Sequence, residues 1–429
     1  MIGYLHQKKM IEKNHVYKYY LAGLAVKLFS SIIFLLVYIE YYAGGDTTNY
    51  ILGSIAMSKL FFHNLSSFFT ILFQQADFNT SWSFFNEATG WPPHYMWKGG
   101  DTRFVIALTS FSNTLGMRAF FPTTLLVATF SYLGVWKLYL FFTDFFPHLT
   151  KQMAIAILFV PSVLFWGSGV MKDTYTFAGS AWFVYNIYMI FFKKQKIPVN
   201  IFLGIINVIV VTSIKPYIFM ALFPGIIVWA LFRKIKDIKN KAMATLIMPF
   251  MIIIGFGLML VVFSSLQSKM GKYGSFDSAV KQAQTIQEDL LRSEQYGSNS
   301  YNVGKIEGTP AGMLKVAPMA IIAGMYRPFL WEARNPVMII SGIENFILLI
   351  LTFYLLIRLK LVKFIRFIFS DPILLFSMIF TIFFMFAVGT ASANFGALVR
   401  YRIPAMPFFI ASVFIMLDKY KVYKNNQSP

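Results

Sequence analysis

The chain has 429 residues and a formal net charge of +20, yet only 13% are charged and 57% are hydrophobic. A soluble domain is nearer a quarter charged, and here the apolar residues come in runs of about twenty, the length that crosses a bilayer, so a water-soluble fold is excluded. Cysteine is absent, which removes disulfides, zinc–thiolate and iron–sulfur sites and cysteine nucleophiles.

The basic stretch from Met1 to Lys18 precedes an apolar run too long for a signal peptide, read as an uncleaved first span over Tyr19–Tyr42. Further runs are Ala119–Phe142, Gln152–Ser168, Thr174–Phe192, Val199–Ser213, Pro216–Phe232, Met243–Leu266, Val337–Ile357, Pro372–Thr390 and Ile403–Leu417, which makes ten spans in an all-α polytopic membrane protein. Phe104–Gly116 carries Thr109, Ser110, Ser112, Asn113 and Thr114, and is expected outside or re-entrant, buried against protein. Basic clusters at Lys8/Lys9/Lys13/Lys18, Lys193/Lys194/Lys196, Arg233/Lys234/Lys236/Lys239/Lys241, Arg358/Lys360/Lys363/Arg366 and Lys419/Lys421/Lys424 then all face the cytoplasm, as do both termini. This charge pattern accounts for the positive balance without nucleic acid.

That topology makes 1–429 a single membrane domain with two long external segments, Ala43–Arg118 and Gln267–Pro336. In the first, Thr48–Phe62 and Leu65–Phe78 read as amphipathic helices on the membrane surface, with a break at Gly90-Trp91-Pro92-Pro93. In the second, Phe276–Gln295 reads as a polar helix and Tyr296–Thr309 as a Gly-, Ser- and Asn-rich connection. The tetrapeptide Gly-Gly-Asp-Thr occurs at Gly44–Thr47 and again at Gly99–Thr102, too short a match to establish a repeat.

Several segments put charge at the outer boundary: Asp46 and Asp101, Lys172 and Asp173, Lys215, Arg327 with Glu332 and Arg334, and Arg400 and Arg402 in the stretch that opens at Asn394. Outer loops should be poor in Lys and Arg, so these cations need another reason. Cations beside carboxylates suit an anionic headgroup: arginine binds phosphate oxygens in a planar fork, and a carboxylate can take a proton from an incoming hydroxyl. Plainer readings stand beside these. Asp46 and Asp101 can cap helices, Lys172 can pair with Asp173, Arg327 with Glu332, and Arg400 and Arg402 can snorkel. Glu344, inside an apolar run, calls for a structural partner. His63 and His94 read as surface histidines. No phosphate-binding loop, dinucleotide fingerprint, His-Glu-x-x-His or Gly-x-Ser-x-Gly occurs.

With its long segment after the first span and Asp46 near that segment's start, the chain resembles bacterial membrane glycosyltransferases of the GT-C type, which include the dolichyl-phosphate-mannose protein mannosyltransferases. Gly44–Thr47, Pro161–Gly169, Arg327–Glu332 and Asn394–Arg402 resemble stretches of a group of poorly described Bacteroidetes membrane proteins. The Gly-x-Asp-x-x-x-Tyr stretch ending at Tyr50 is also similar to exopolysaccharide and O-antigen polymerases. The resemblance implies an enzyme of the bacterial cytoplasmic membrane that moves a sugar from a polyprenyl-linked donor to a glycan or lipid acceptor. Asp46 and Asp101 would be the catalytic acids, and Lys172, Asp173, Lys215, Arg327, Glu332, Asn394, Arg400 and Arg402 would line the substrate. No organic cofactor is implied. Many members carry paired acids where Asp46 is followed by Thr47, which leaves a divalent metal open. A transporter or flippase of lipid-linked saccharide and a non-catalytic scaffold are the competing classes.

Overall fold

The computed structural model describes residues 2–236, 310–392 and 394–426, with short stretches between 250 and 304. The chain is all-helical, with no strand among the described residues, as expected where lipid offers no partner to an unpaired backbone group. Five described helices are long and apolar enough to cross a membrane: His15–Tyr41, Phe120–Phe145, Ile197–Ile214, Met338–Phe369 and Pro372–Ala391. The pair Phe395–Tyr401 and Met406–Asn425, bent by 72°, makes a sixth if it is one broken span.

Helix α1 (Ile2–Ile11) leads to α2 (Tyr20–Leu36), which runs on as a π-turn over Val37–Tyr41. The chain then reverses through Gly44 and Gly45, at φ 111° and 114°, a region that glycine enters without the Cβ penalty. Helix α3 (Asp46–His63) follows. Asn64 caps α4 (Leu65–Leu72) by accepting from the Ser67 N–H at 3.0 Å, and Asp77 caps α5 (Phe78–Trp82) by accepting from Thr80 at 2.8 Å. The Gly-Trp-Pro-Pro break opens into a 3-10 turn, His94–Lys98, ahead of α6 (Gly100–Leu115) and α7 (Phe120–Phe145). Next come α8 (Thr150–Leu158), α9 (Pro161–Trp166), α10 (Lys172–Tyr188), α11 (Ile197–Ile214) and α12 (Pro216–Lys236). After the undescribed stretch, α13 (Pro310–Tyr326), α14 (Pro336–Phe369), α15 (Pro372–Ala391), α16 (Phe395–Tyr401) and α17 (Met406–Asn425) complete the chain. Asn335 and Asp371 cap α14 and α15, each with proline at the first helical position.

These helices form two compact units: Met1–Pro147 with Val163–Lys215, and His148–Ser162 with Pro216–Pro429. In the first unit the polar residues Thr109, Ser110, Ser112 and Asn113 of α6 are buried, and the Thr109 and Tyr175 hydroxyls share a hydrogen bond of 2.8 Å.

The elements differ from the expected spans in instructive places. Gln152–Ser168 is not one helix but α8 and α9, because Pro161 has no N–H to give and disfavours helix in the residue before it. Thr174–Phe192 is helical but buries Thr174, Thr176, Ser180 and Asn186, so it falls outside the apolar set. Val199–Ser213 appears as α11. Met243–Leu266, Phe276–Gln295 and Tyr296–Thr309 lie mostly outside the described residues. Helix α13 was not anticipated: it occupies part of the segment read as an external loop, and it is apolar over Gly312–Tyr326.

Small residues let α13 and α15 meet backbone to backbone. A Cβ added at Gly389 would lie 2.0 Å from the Ala320 carbonyl oxygen, and one at Gly324 would lie 2.5 Å from that of Met385. Gly389→Ala should therefore destabilise the protein by about 1–3 kcal/mol through overpacking, read as a lower melting temperature of the purified protein in detergent. An unchanged melting temperature would mean that the two helices do not approach this closely.

Candidate functional site

In the first unit the charges gather around the turn Gly167–Asp173. Asp46 is the first residue of α3; its cap is Gly45, so Asp46 does not serve as the cap itself. Its carboxylate accepts a hydrogen bond from the Tyr95 hydroxyl. The Lys98 ammonium stands 4.7 Å from the centre of the Tyr95 ring, and Tyr50, one helical turn beyond Asp46, packs edge-on against the same ring at 5.8 Å. A negative charge in the first turn of a helix is favoured by the exposed N–H groups there.

Thr47 carries α3 onto the turn. It is buried, and its hydroxyl lies 3.2 Å from the Val170 carbonyl oxygen and 3.1 Å from the Met171 sulfur. Lys172 donates to Asp101 at 2.5 Å and to the Thr102 hydroxyl at 3.0 Å. Both Gly-Gly-Asp-Thr stretches thus dock on one turn, the first through its Thr and the second through its Asp and Thr. The local pair between Lys172 and Asp173 is replaced by partners from elsewhere: Asp173 accepts from Lys215. Adjacent residues on a helix do not face each other, so the two charges reach in different directions.

The Lys215–Asp173 pair is deeply buried, with the two residues 8% and 1% exposed. The pair gives Lys215 a structural partner inside the fold, beside the substrate role expected of it. Asp46, Asp101 and Lys172 are each partly accessible.

The second unit contains the remaining candidates. Arg327 donates to both oxygens of Glu332, with Nε 3.1 Å from each. Its guanidinium lies 4.8 Å from the Tyr301 ring centre and 5.1 Å from that of Phe395. Burial pushes the Tyr301 phenol above its ordinary value, and the charges of Arg327 and Arg402 pull it back. Asn394 is a helix cap, accepting from Gly396 at 2.7 Å and Ala397 at 3.3 Å. Arg402 is wholly buried. Its Nη1 donates to the carbonyls of Gly324 (3.2 Å) and Arg327 (2.9 Å), and its Nη2 donates to Asn345 (2.6 Å). Three of its five N–H donors go to protein oxygens, and Nε meets no hydrogen-bond partner among the described residues, so Arg402 has a structural role whatever else it binds. Arg400 lies beside the Tyr401 ring at 5.8 Å. Glu344 has structural partners, the N–H and hydroxyl of Ser162 at 3.1 and 2.7 Å.

His63 and His94 are exposed; His63 meets Asn86 at 3.2 Å and His94 stacks on Trp82. Among the described residues no three His, Asp or Glu side chains come together as a metal site would need. No family model, curated protein or solved structure matches the chain.

The residue that sequence reasoning missed is Tyr95. It sits between Trp and Pro residues in a segment read only as a break, and nothing in its neighbours marks it as the partner of a carboxylate 49 positions away.

Removing one member of a buried ion pair strands the other. Asp173→Ala and Lys215→Ala should each cost roughly 3–5 kcal/mol, whereas the double replacement Asp173→Leu with Lys215→Met should recover much of that loss. Thermal unfolding of the purified variants measures both. A double variant no more stable than the singles would contradict the pairing.

Proposed function

We propose that the chain is a GT-C-like glycosyltransferase that works at the outer face of a bacterial cytoplasmic membrane, taking a sugar from a polyprenyl-phosphate or -pyrophosphate donor. The observation that carries this reading is Asp46 at the head of α3, held by the Tyr95 hydroxyl, with the Lys172–Asp101 pair on the turn that α3 docks against.

In this mechanism Asp46 takes the proton from the acceptor hydroxyl. That oxygen forms a bond to the sugar's anomeric carbon as the bond from that carbon to the donor phosphate breaks, and the phosphate leaves with the electron pair. A carboxylate offers about four lone-pair positions, so the Tyr95 hydrogen bond still leaves room for the acceptor proton. Tyr95 fixes which way the carboxylate faces. Lys172 and the exposed Lys98 supply positive charge where negative charge grows on the leaving group. Polymerisation of a lipid-linked glycan uses the same bond changes.

Ten spans with both termini inside accompany this reading. The native chain has no cysteine, so single cysteines at exposed positions report sidedness without background. Ala88→Cys and Trp331→Cys should label in whole cells with an impermeant thiol reagent, and Lys194→Cys and Asn425→Cys only after lysis. Labelling at Ala88 without labelling at Trp331 would mean one crossing more or one fewer between them, with α13 and the broken run Gln152–Ser168 the first suspects, and would overturn the ten-span arrangement.

For the chemistry, Asp46→Asn should lower glycan transfer by about 10²–10⁴-fold, the usual contribution of a positioned base, while the protein accumulates normally. Surface glycan at the wild-type level in that variant would remove Asp46 from the mechanism.

A further inference from the structure

The 3-10 turn His94–Lys98 has two working edges. One carries Tyr95 to Asp46. The other carries His94 and Trp97 into an aromatic wall. The His94 ring stacks on Trp82 with centres 5.1 Å apart and planes 12° from parallel. Phe78 lies 5.7 Å from Trp82 and stands edge-on to Trp97 at 5.2 Å. The Arg103 guanidinium is 5.8 Å from the Trp97 ring centre.

The wall is not a closed core. Phe78 is 44% exposed, His94 is exposed, and Trp82 and Trp97 are half-buried. None of the four lies in a helix apolar enough to cross the membrane. A core would bury its rings and exclude a histidine. Here one of the two exposed rings is a histidine, and the cations Arg103 and Lys98 belong to the same short stretch of chain.

We infer that the wall of Phe78, Trp82, His94 and Trp97 binds a saccharide ring of the acceptor, an assignment that rests on the transferase reading. A pyranose has an apolar C–H face and a rim of hydroxyls. Its C–H groups suit the electron-rich face of an aromatic ring, and its hydroxyls suit the nitrogens of His94 and the guanidinium of Arg103 beside Trp97. Sites for small polar molecules commonly combine aromatic lining with a few convergent polar groups. Wall and base share one short turn, since His94 and Trp97 flank Tyr95 in sequence. An oligosaccharide with one ring on the wall would extend along that turn toward Asp46. The wall would then select the acceptor, and Asp46 would act on it.

The experiment uses the full chain in phosphatidylethanolamine/phosphatidylglycerol nanodiscs, with N-acetylchitotetraose and maltotetraose as probes, read by saturation-transfer NMR. Transfer to the ring C–H protons of at least one probe is expected. Affinity should fall at least tenfold in Trp82→Ala and severalfold in His94→Ala, and should hold in Trp331→Ala, which removes an exposed tryptophan from the other unit. Asp46→Asn should keep the binding while losing glycan transfer. His94→Ala removes only an exposed ring, so it serves if Trp82→Ala fails to fold. The proposal is overturned if neither probe receives saturation, or if wild type and His94→Ala bind alike. It is also overturned if brominated lipid quenches a tryptophan signal that Trp82→Phe removes, since the wall would then lie in the bilayer. Absence of glycan transfer by the wild-type chain supplied with a polyprenyl-linked donor, together with binding that depends on Trp82, would remove the transferase reading and leave the saccharide site standing.

Discussion

Lys172 and Asp173 are neighbours of opposite charge, and the arrangement of the first unit follows from their reaching in different directions. Lys172 draws in Asp101 and Thr102 from the head of α6, and Asp173 draws in Lys215 from the end of α11. Thr47 adds the head of α3 to the same turn. Three helix ends are thereby fixed on a few residues of backbone, and Asp46, adjacent to Thr47, is fixed with them. Rigid elements and short links of this kind hold a reactive group in place better than a long loop would. The segment Ala43–Arg118 is long, but its two anchored ends behave as part of the helical frame.

Burying ionised groups is costly, and in a chain this apolar each must find a partner. The second unit shows the rule at its strictest. Arg402 has no exposed surface, and it ties α13, the segment after it and α14 to the bend before α17 through two carbonyls and Asn345. Asn345 in turn donates to the Pro328 carbonyl at 2.9 Å, so the amide serves both neighbours. Arg402 thereby organises the loop that contains Arg327. The cations separate into two kinds. Arg402 and Lys215 are buried on protein partners. Lys172 and Lys98 keep part of their charge at the surface of the first unit.

The sequence disclosed features that depend on local chemistry and hid those that depend on distant contacts. The first apolar run, the break at Gly90–Pro93 and the pairing of Arg327 with Glu332 all follow from neighbours in the chain. The break within Gln152–Ser168 was also legible in Pro161, but the apolar character of the run outweighed it. Helix α13 escaped notice because Gly312, Gly324, Pro318 and Lys315 dilute its hydropathy, while the same glycine at 324 is what lets it press against α15. Whether Arg402 faces solvent or protein, and whether Tyr95 meets Asp46, depends on segments 50 or more residues apart in one case and 49 in the other. No periodicity records such meetings.

The position of Asp46 also bears on what kind of reaction it can serve. The N-terminal end of α3 and the Tyr95 hydroxyl both meet the Asp46 carboxylate. A carboxylate base suits a reaction in which departure of the leaving group leads and proton removal follows, so that the acceptor hydroxyl has become acidic by the time it gives up its proton. Displacement of a phosphate from an anomeric carbon is such a reaction, since the phosphate leaves readily as an anion and the sugar can carry positive charge, as it does in glycoside hydrolysis. Attack on an amide or an ester, where the nucleophile must be activated first, asks for a stronger base, usually histidine. Neither His63 nor His94 approaches Asp46 through any described contact; they meet Asn86 and Trp82 instead. Within the proposed reading, a carboxylate as base fits glycosyl transfer better than acyl transfer.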